Sequence, residues 1–295
     1  MNRRVLLVGL LRTTAKLPLP LAHVIGAGLG WLLWRIPGHS VRVIAERNLA
    51  LCFPKWLRSE RDGLLRWNLQ ETGKLLFELG SLWLWPGERV LNLVRDPVAG
   101  EEMLAEAVHQ KTGAILLTPH LGSWEMAGLY YSSRYPLTIL YRPSRLGLDD
   151  LSRQGRGRLG GKVVATDPGG IRALLAALRD GEVLGILPDQ DPGPEGGVFA
   201  PFFGIPASTM TLASRLALRT KAPVFLTWAE RLPRGRGFRL HLRILPEVTA
   251  AQSLEQSVAA LNQGVEAAVD ALPAQYLWAY KRFKTRPPDA PTLLY

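Results

Sequence analysis

The chain has 295 residues, 47% of them hydrophobic, so it can bury a large core and is not a disordered segment. Its one cysteine, Cys52, excludes an intrachain disulfide framework and points to a reducing compartment. The 36 Lys and Arg residues against 25 Asp and Glu leave a formal charge of +11, which suggests an anionic partner: nucleic acid, an acidic membrane surface, or an acidic or phosphorylated substrate.

Leu17 to Trp34 (LPLPLAHVIGAGLGWLLW) runs eighteen residues without Lys, Arg, Asp or Glu. As a helix it would measure about 27 Å, slightly less than a bilayer core of about 30 Å. Arg12 and Lys16 precede it and Arg35, Arg42 and Arg47 follow, so charge gives no clear orientation. No small-residue cleavage site follows it, which argues against a secretory signal. Membrane attachment is the expected reading, by a spanning helix or by one lying in a single leaflet; a core helix is the plainer alternative. The chain then divides into an anchor over 1–40 and a main domain over 41–295.

Val41–Leu51 is a basic amphipathic stretch, and Leu64–Trp85 repeats Leu, Phe and Trp at helical spacing up to Pro86-Gly87. From Glu101 a regular alternation begins. Helices are expected over Glu101–Lys111, Trp124–Tyr131, Ile171–Arg179, Met210–Arg219 and Ser253–Ala271. Strands are expected over Ala114–Leu117, Leu137–Tyr141, Lys162–Ala165, Val183–Leu187, Val224–Trp228 and Phe238–Leu245. Such alternation predicts an α/β fold, with a largely parallel sheet covered on both faces. Ligands of such sheets gather at the carboxyl ends of the strands. His120, Arg142 and Asp189 all fall just past strand ends and are expected to share one rim.

His120 and Glu125 stand out first, in "TPHLGSWE" (Thr118–Glu125). Histidine accepts a proton near neutral pH, and a carboxylate on its other ring nitrogen fixes the tautomer. Gly122 would let the chain turn and Ser123 would cap the following helix. Taken alone, the pair also reads as a loop histidine beside an unrelated helix-start glutamate. A metal centre lacks a third and fourth ligand, and Ser123 lacks the Gly-x-Ser-x-Gly elbow of a nucleophile. Tyr141–Gly161 carries Arg142, Arg145, Arg153, Arg156 and Arg158 among several glycines. It reads as an anion-binding segment or as a solvated basic loop. Aromatic residues do not interleave with these arginines and no nucleic-acid motif appears, so nucleic acid is not favoured. In Leu187–Thr211, Asp189 and Asp191 of an Asp-Gln-Asp run precede a Gly-rich loop and a turn around Phe199, Phe202 and Phe203. The two acids are suited to orient arginines or take a substrate hydroxyl, and the phenylalanines to wall an apolar pocket.

The order His-x-x-x-x-Glu after a strand, then Tyr-Arg-Pro, an Arg-Gly segment, DQD, GGVFAPFFG and a following Thr resembles the late acyltransferases of lipid A biosynthesis. These are the lauroyl and myristoyl transferases of the lysophospholipid acyltransferase superfamily. The resemblance extends to "ERNLALCFP" (Glu46–Pro54) and "YLWAYKRFKTRP" (Tyr276–Pro287). It implies a glycerol-phosphate acyltransferase-like αβα sandwich behind an N-terminal anchoring helix, at the inner membrane with the active site on the cytoplasmic side. No cofactor and no metal are implied. The implied reaction transfers an acyl chain, of lauroyl type by family weighting, from acyl carrier protein to the hydroxyl of a 3-hydroxyacyl chain on a lipid A precursor. By position, His120 is the implied base and Glu125 its partner. Arg156 or Arg158 and an Asp of the DQD run match the family's basic and acidic positions. Tyr280 departs from the family, which often has His there. Backbone N–H groups of the Leu121–Trp124 turn or a nearby Arg are the expected oxyanion donors. Acylation of another membrane glycolipid or aminolipid, such as a phosphatidylinositol mannoside, is the competing activity. A non-enzymatic basic membrane-binding protein is the competing class.

Overall fold

The computed structural model describes residues 3–142, 149–193, 196–288, 290 and 294–295. The first elements are helices: α1 (Arg3–Thr14), α2 (Leu19–Arg35), α3 (Ser40–Cys52), α4 (Arg58–Leu84), α5 (Gly87–Leu91) and α6 (Glu101–His109). Then follow β1 (Ala114–Leu117), α7 (Trp124–Arg134), β2 (Leu137–Tyr141), α8 (Asp149–Gly157), β3 (Lys162–Ala165), α9 (Pro168–Arg179) and β4 (Val183–Ile186). The chain continues with β5 (Gly197–Phe202), β6 (Ile205–Met210), α10 (Leu212–Thr220), β7 (Val224–Arg231), β8 (Phe238–Ile244), α11 (Pro246–Ala250) and α12 (Leu254–Ala271).

Six strands form one sheet in the order β3-β2-β4-β1-β7-β8. Every neighbouring pair is parallel except β7–β8. β1 is central and buried on both faces, which explains its unbroken Ala-Ile-Leu-Leu run. Its alternate residues feed two cores. Ile115 and Leu117 join Leu174 of α9, Leu216 of α10 and Leu261 of α12. Ala114 and Leu116 join Leu104 of α6 and Met126 of α7. The expected α/β class and mostly parallel sheet are therefore present, as two helical layers about one sheet. Local chemistry starts the helices: Asp167 accepts the Gly170 N–H before α9 at 2.7 Å, with Pro168 at the first helical position.

Two segments differ from the sequence expectation. The Gly-rich loop after the Asp-Gln-Asp run contains an antiparallel hairpin, β5–β6, paired from Gly197↔Met210 to Phe202↔Ile205. The Arg-Gly segment contains helix α8, whose Arg156 and Arg158 lie near its end; Arg145 falls outside the described residues.

The N-terminal apolar run forms α2, of 17 residues. That gives about 25 Å of length, and no single described helix is long and apolar enough to cross a membrane. One stripe of α2 lies against α4. Gly26 and Gly30 approach the backbone of Leu69 and Gly73 so closely that an added Cβ would overlap it. His23 Nε2 bonds Glu78 Oε2 at 3.0 Å. The opposite stripe, with Leu21, Val24, Ile25 and Leu32, is exposed, and Val5, Leu6 and Leu10 of α1 are exposed too.

Candidate active site

β1 and β4 are parallel neighbours with Leu117 opposite Ile186. His120 and Asp189 each lie three residues beyond those paired positions, so register brings them side by side at the carboxyl edge of the sheet. Asp189 is buried and takes two bonds from one residue. The His120 ring Nδ1–H donates to Oδ1 at 2.8 Å and the His120 backbone N–H donates to Oδ2 at 2.9 Å. The His120 carbonyl accepts the Leu277 N–H at 3.0 Å, and the edge of Trp124 lies against the imidazole with ring centroids 4.8 Å apart. Burial alone would raise the Asp189 carboxyl. The facing His120 charge and hydrogen bonds outweigh it, helped by Arg282, and hold the group below its ordinary value. An ionised carboxylate only accepts, so Nδ1 carries a proton toward it; in the neutral ring Nε2 then keeps its lone pair. The Gln190 amide lies 3.1 Å from that Nε2 and donates to it.

Glu125 does something other than orient His120. Its carboxylate accepts from Arg156, by Nε at 3.1 Å to both oxygens and by Nη2 at 2.6 Å to Oε1, and from the Trp83 indole N–H at 3.3 Å. Both ring nitrogens of His120 are meanwhile taken by Asp189 and Gln190. The reason is helical geometry. Neighbouring residues in α7 point about 100° apart, so with Trp124 against the imidazole, Glu125 turns toward α4 and α8. The ion pair raises the Arg156 guanidinium further above its ordinary value, against the burial that would lower it.

The other expected residues separate in the same way. Asp189 holds His120 and does not reach out for substrate. Asp191 spends its carboxylate on the Thr285 N–H and O–H, at 2.7 and 2.9 Å, and on the Gly193 N–H at 2.8 Å. It fastens the C-terminal segment to the rim. Arg158 points away, donating to the Leu82 carbonyl at 2.7 Å and to that of Trp85, at the end of α4. Burial lowers its guanidinium. Of the two arginines, Arg156 is the one that lines the cleft beside His120. Arg142 is exposed on the cleft wall.

The expected oxyanion donors are also mostly committed. Leu121 N–H bonds the Pro119 carbonyl at 2.7 Å, Gly122 N–H that of Gln275 at 3.0 Å and Ser123 N–H that of Ala229 at 2.8 Å. Trp124, Glu125 and Met126, the first residues of α7, lack a carbonyl one turn earlier to bond. Ser123 precedes α7 without a side-chain capping bond, and its buried hydroxyl has no hydrogen-bond partner among the described residues.

His120, Arg142, Arg156, Gln190, Asp191 and Met210 are among the residues that line a cleft of about 460 Å³, within the range of small-ligand sites. A narrower pocket lies beside it, walled by Leu116, Leu129, Leu137, Ile139 and Leu187, with Gly128 and Gly185. The two share Arg156 and Leu187, so a narrow, mostly apolar bore of about 30 Å³, with Thr118 and the Glu125–Arg156 pair also in its wall, adjoins the polar cleft that holds the imidazole. A Cβ added at Gly128 would meet nothing within 4 Å. Gln190, Trp83 and Leu277 are the site residues that sequence reasoning missed. Only Gln190 carried a signal, its place inside the Asp-Gln-Asp run.

Residues 2–285 match the model of the bacterial lipid A biosynthesis acyltransferase family. A lipid A biosynthesis lauroyltransferase of Escherichia coli (strain K12) is 31% identical over 97% of this chain and 92% of its own. A lipid A biosynthesis palmitoleoyltransferase of that organism is 32% identical over 95% and 90% respectively. A myristoyltransferase of the same pathway and organism is 27% identical over 89% and 80%. With a family match across nearly all of its length, and relatives this similar over nine-tenths of both chains, the protein belongs to the bacterial lipid A biosynthesis acyltransferases.

Proposed function

We propose that the protein is a late, secondary acyltransferase that moves a lauroyl-type chain from acyl carrier protein to the hydroxyl of a 3-hydroxyacyl chain on a lipid A precursor. The observation that carries this reading is the His120 imidazole, held by Asp189 with its Nε2 lone pair toward a cleft that adjoins an apolar bore. In the reaction, Nε2 takes the acceptor's hydroxyl proton as the oxygen attacks the thioester carbon. The carbonyl oxygen gains negative charge, and the amides that open α7 and the Arg156 guanidinium are the nearest candidate donors. Collapse breaks the C–S bond, and the departing thiolate takes the proton back from Nε2. The product is an ester and a free carrier thiol. Gln190 gives up its bond to Nε2 when the acceptor hydroxyl arrives. Arg142 stands where it can meet an anionic part of either substrate.

The exposed apolar stripes of α1 and α2, with Trp31, Trp56 and Trp67 also exposed, suit an interfacial seat in one leaflet. We infer attachment to the cytoplasmic side of the inner membrane, where the acceptor lies. The test is a reaction of the purified protein with lauroyl-acyl carrier protein and a lipid A precursor, read by mass spectrometry. A gain of one lauroyl ester on the precursor is expected. No gain, or acylation of a phosphatidylinositol mannoside in its place, overturns the reading.

Two further outcomes follow from the geometry. Gly128→Leu is expected to fill the apolar bore and shift preference toward shorter acyl chains, checked with a panel of donors from eight to sixteen carbons. An unchanged preference removes the bore as the acyl seat. Arg156→Lys is expected to lower turnover about tenfold, because an ammonium cannot reproduce the fork on Glu125. Arg158→Lys should keep turnover within about twofold, since its guanidinium bonds the backbone carbonyls of Leu82 and Trp85 and is directed away from the cleft. Steady-state kinetics of the two variants decide between them.

A further inference from the structure

The turn that carries the imidazole is gripped from behind. Arg231, at the end of β7, is buried, with 4% of its surface exposed. It makes a two-pronged pair with Glu78 of α4, by Nε to Oε2 and by Nη2 to Oε1, each at 2.8 Å. Nη2 also donates to the Gly122 carbonyl at 2.9 Å. The next amide of the same peptide unit, Ser123 N–H, bonds the Ala229 carbonyl at 2.8 Å. Both ends of the Gly122–Ser123 peptide are therefore fixed. Gln275 completes the frame: its side chain bonds the Arg231 N–H at 2.9 Å and the Arg231 carbonyl at 3.1 Å, while its own carbonyl accepts Gly122 N–H.

This grip acts at the turn's weakest point. Gly122 has φ of +62°, and a Cβ there would overlap the Ala229 carbonyl oxygen. Glycine is the residue for which inversion of the following peptide costs least. Such an inversion would swing the start of α7 and carry both Trp124, which lies against His120, and Glu125, which holds Arg156. A buried guanidinium on the Gly122 carbonyl opposes it. No side chain from Leu121 to Trp124 is charged, so the charge-assisted bond on the Gly122 carbonyl comes from outside the turn, from Arg231.

We propose that Arg231 is a positioning residue for acyl transfer: through the Gly122 carbonyl it holds the His120–Glu125 turn in its reactive shape, with Glu78 aiming the guanidinium. This rests on the reading of His120 as the base. Two variants separate position from stability. Arg231→Lys keeps a cation for Glu78 but cannot reach both it and the Gly122 carbonyl. Arg231→Met combined with Glu78→Gln removes both charges of the pair, keeps an amide for His23 and leaves Glu71, 3.8 Å from the native Arg231, to its Lys74 partner, a replacement that buried pairs often tolerate.

The experiment measures thermal melting, kcat and donor KM with lauroyl-acyl carrier protein and a lipid A precursor, beside wild type and His120→Ala. In a folded variant, kcat is expected to fall about 10- to 100-fold, the scale of a lost hydrogen bond to a charged group, with KM within about twofold. Wild-type kcat in either folded variant overturns the proposal, as does a change confined to KM. If the double variant does not fold, Arg231→Lys decides alone. If neither folds, the network serves the fold only and the proposal falls. An inactive wild type, or an active His120→Ala, marks failure of the underlying reading instead.

Discussion

His120→Ala is expected to cut acyl transfer at least about a hundredfold, the usual scale for losing a positioned general base. The fold should survive, because the imidazole edge faces a cleft and is not core filling. Asp189→Asn should lose nearly as much, for a reason specific to this site. The native carboxylate accepts from the ring Nδ1–H and from the backbone N–H of the same histidine. An amide has one oxygen and one NH2 group. It satisfies either the ring or the backbone, and its NH2 faces whichever N–H is left. If the amide oxygen stays on the backbone, the ring turns to the tautomer with its proton on Nε2 and cannot act as a base. Initial rates of both variants, with thermal melting to confirm folding, check this. Near-normal turnover by folded His120→Ala refutes the assignment of the base. Near-normal turnover by Asp189→Asn would leave the carboxylate as a structural clamp.

The largest stability effect is expected at Glu78. The carboxylate is fully buried, and burial alone would raise its pKa. Arg231 and the His23 hydrogen bond overcome that and bring the group from 4.5 down to about 2. Glu78→Ala strands the Arg231 cation in the interior and is expected to cost about 3–5 kcal/mol. The sign of the pH dependence follows from the lowered value. The unfolded chain binds a proton at Glu78 before the folded chain does, so its contribution is complete above pH 4.5 and drains away as pH falls toward about 2. Urea midpoints at about pH 7, 4.5 and 3 should fall for wild type and fall less steeply for Glu78→Gln. Parallel acid slopes in the two proteins would show that the linkage lies elsewhere.

The sheet was legible because its inner strands are buried runs closed by turn residues, and its edge strands are apolar or alternating runs bounded the same way. β2 and β3 lie over the residues expected, and β1 does as well. The hairpin β5–β6 was hidden by the glycines and prolines that flank and interrupt it, and by pairing that depends on its partner strand. Helix α8 was hidden because Arg, Gly and Gln carry no apolar stripe to reveal it. His120 was legible from chemistry, its orienting carboxylate was not. Glu125 is five residues away in sequence and Asp189 sixty-nine, yet sheet register selects the distant one. Arg156 and Arg158 could not be separated by composition, because what separates them is the direction each takes from the end of α8. Arg231 gave no sequence signal, as its partners lie 153 and 109 residues away.

The glycine contact between α2 and α4 divides the N-terminal helix, as heritable text, into two halves with different histories. On the outward stripe, Leu21, Val24, Ile25 and Leu32 are exposed, and one apolar residue there should serve about as well as another. On the inward stripe, Gly26 and Gly30 face backbone, and so does Gly73 across from them. A methyl group at any of these meets peptide atoms that cannot rotate aside. Nor can a second change opposite compensate, since glycine is already the smallest residue available. Drift on that stripe has no neutral path. The first step would part the helices, loosen His23 from Glu78, and so reach Arg231 and the Gly122 peptide. Lineages of this chain should therefore show an apolar helix that wanders freely on one side and stands still on the other, with the still side kept by a reaction in which none of its residues takes part.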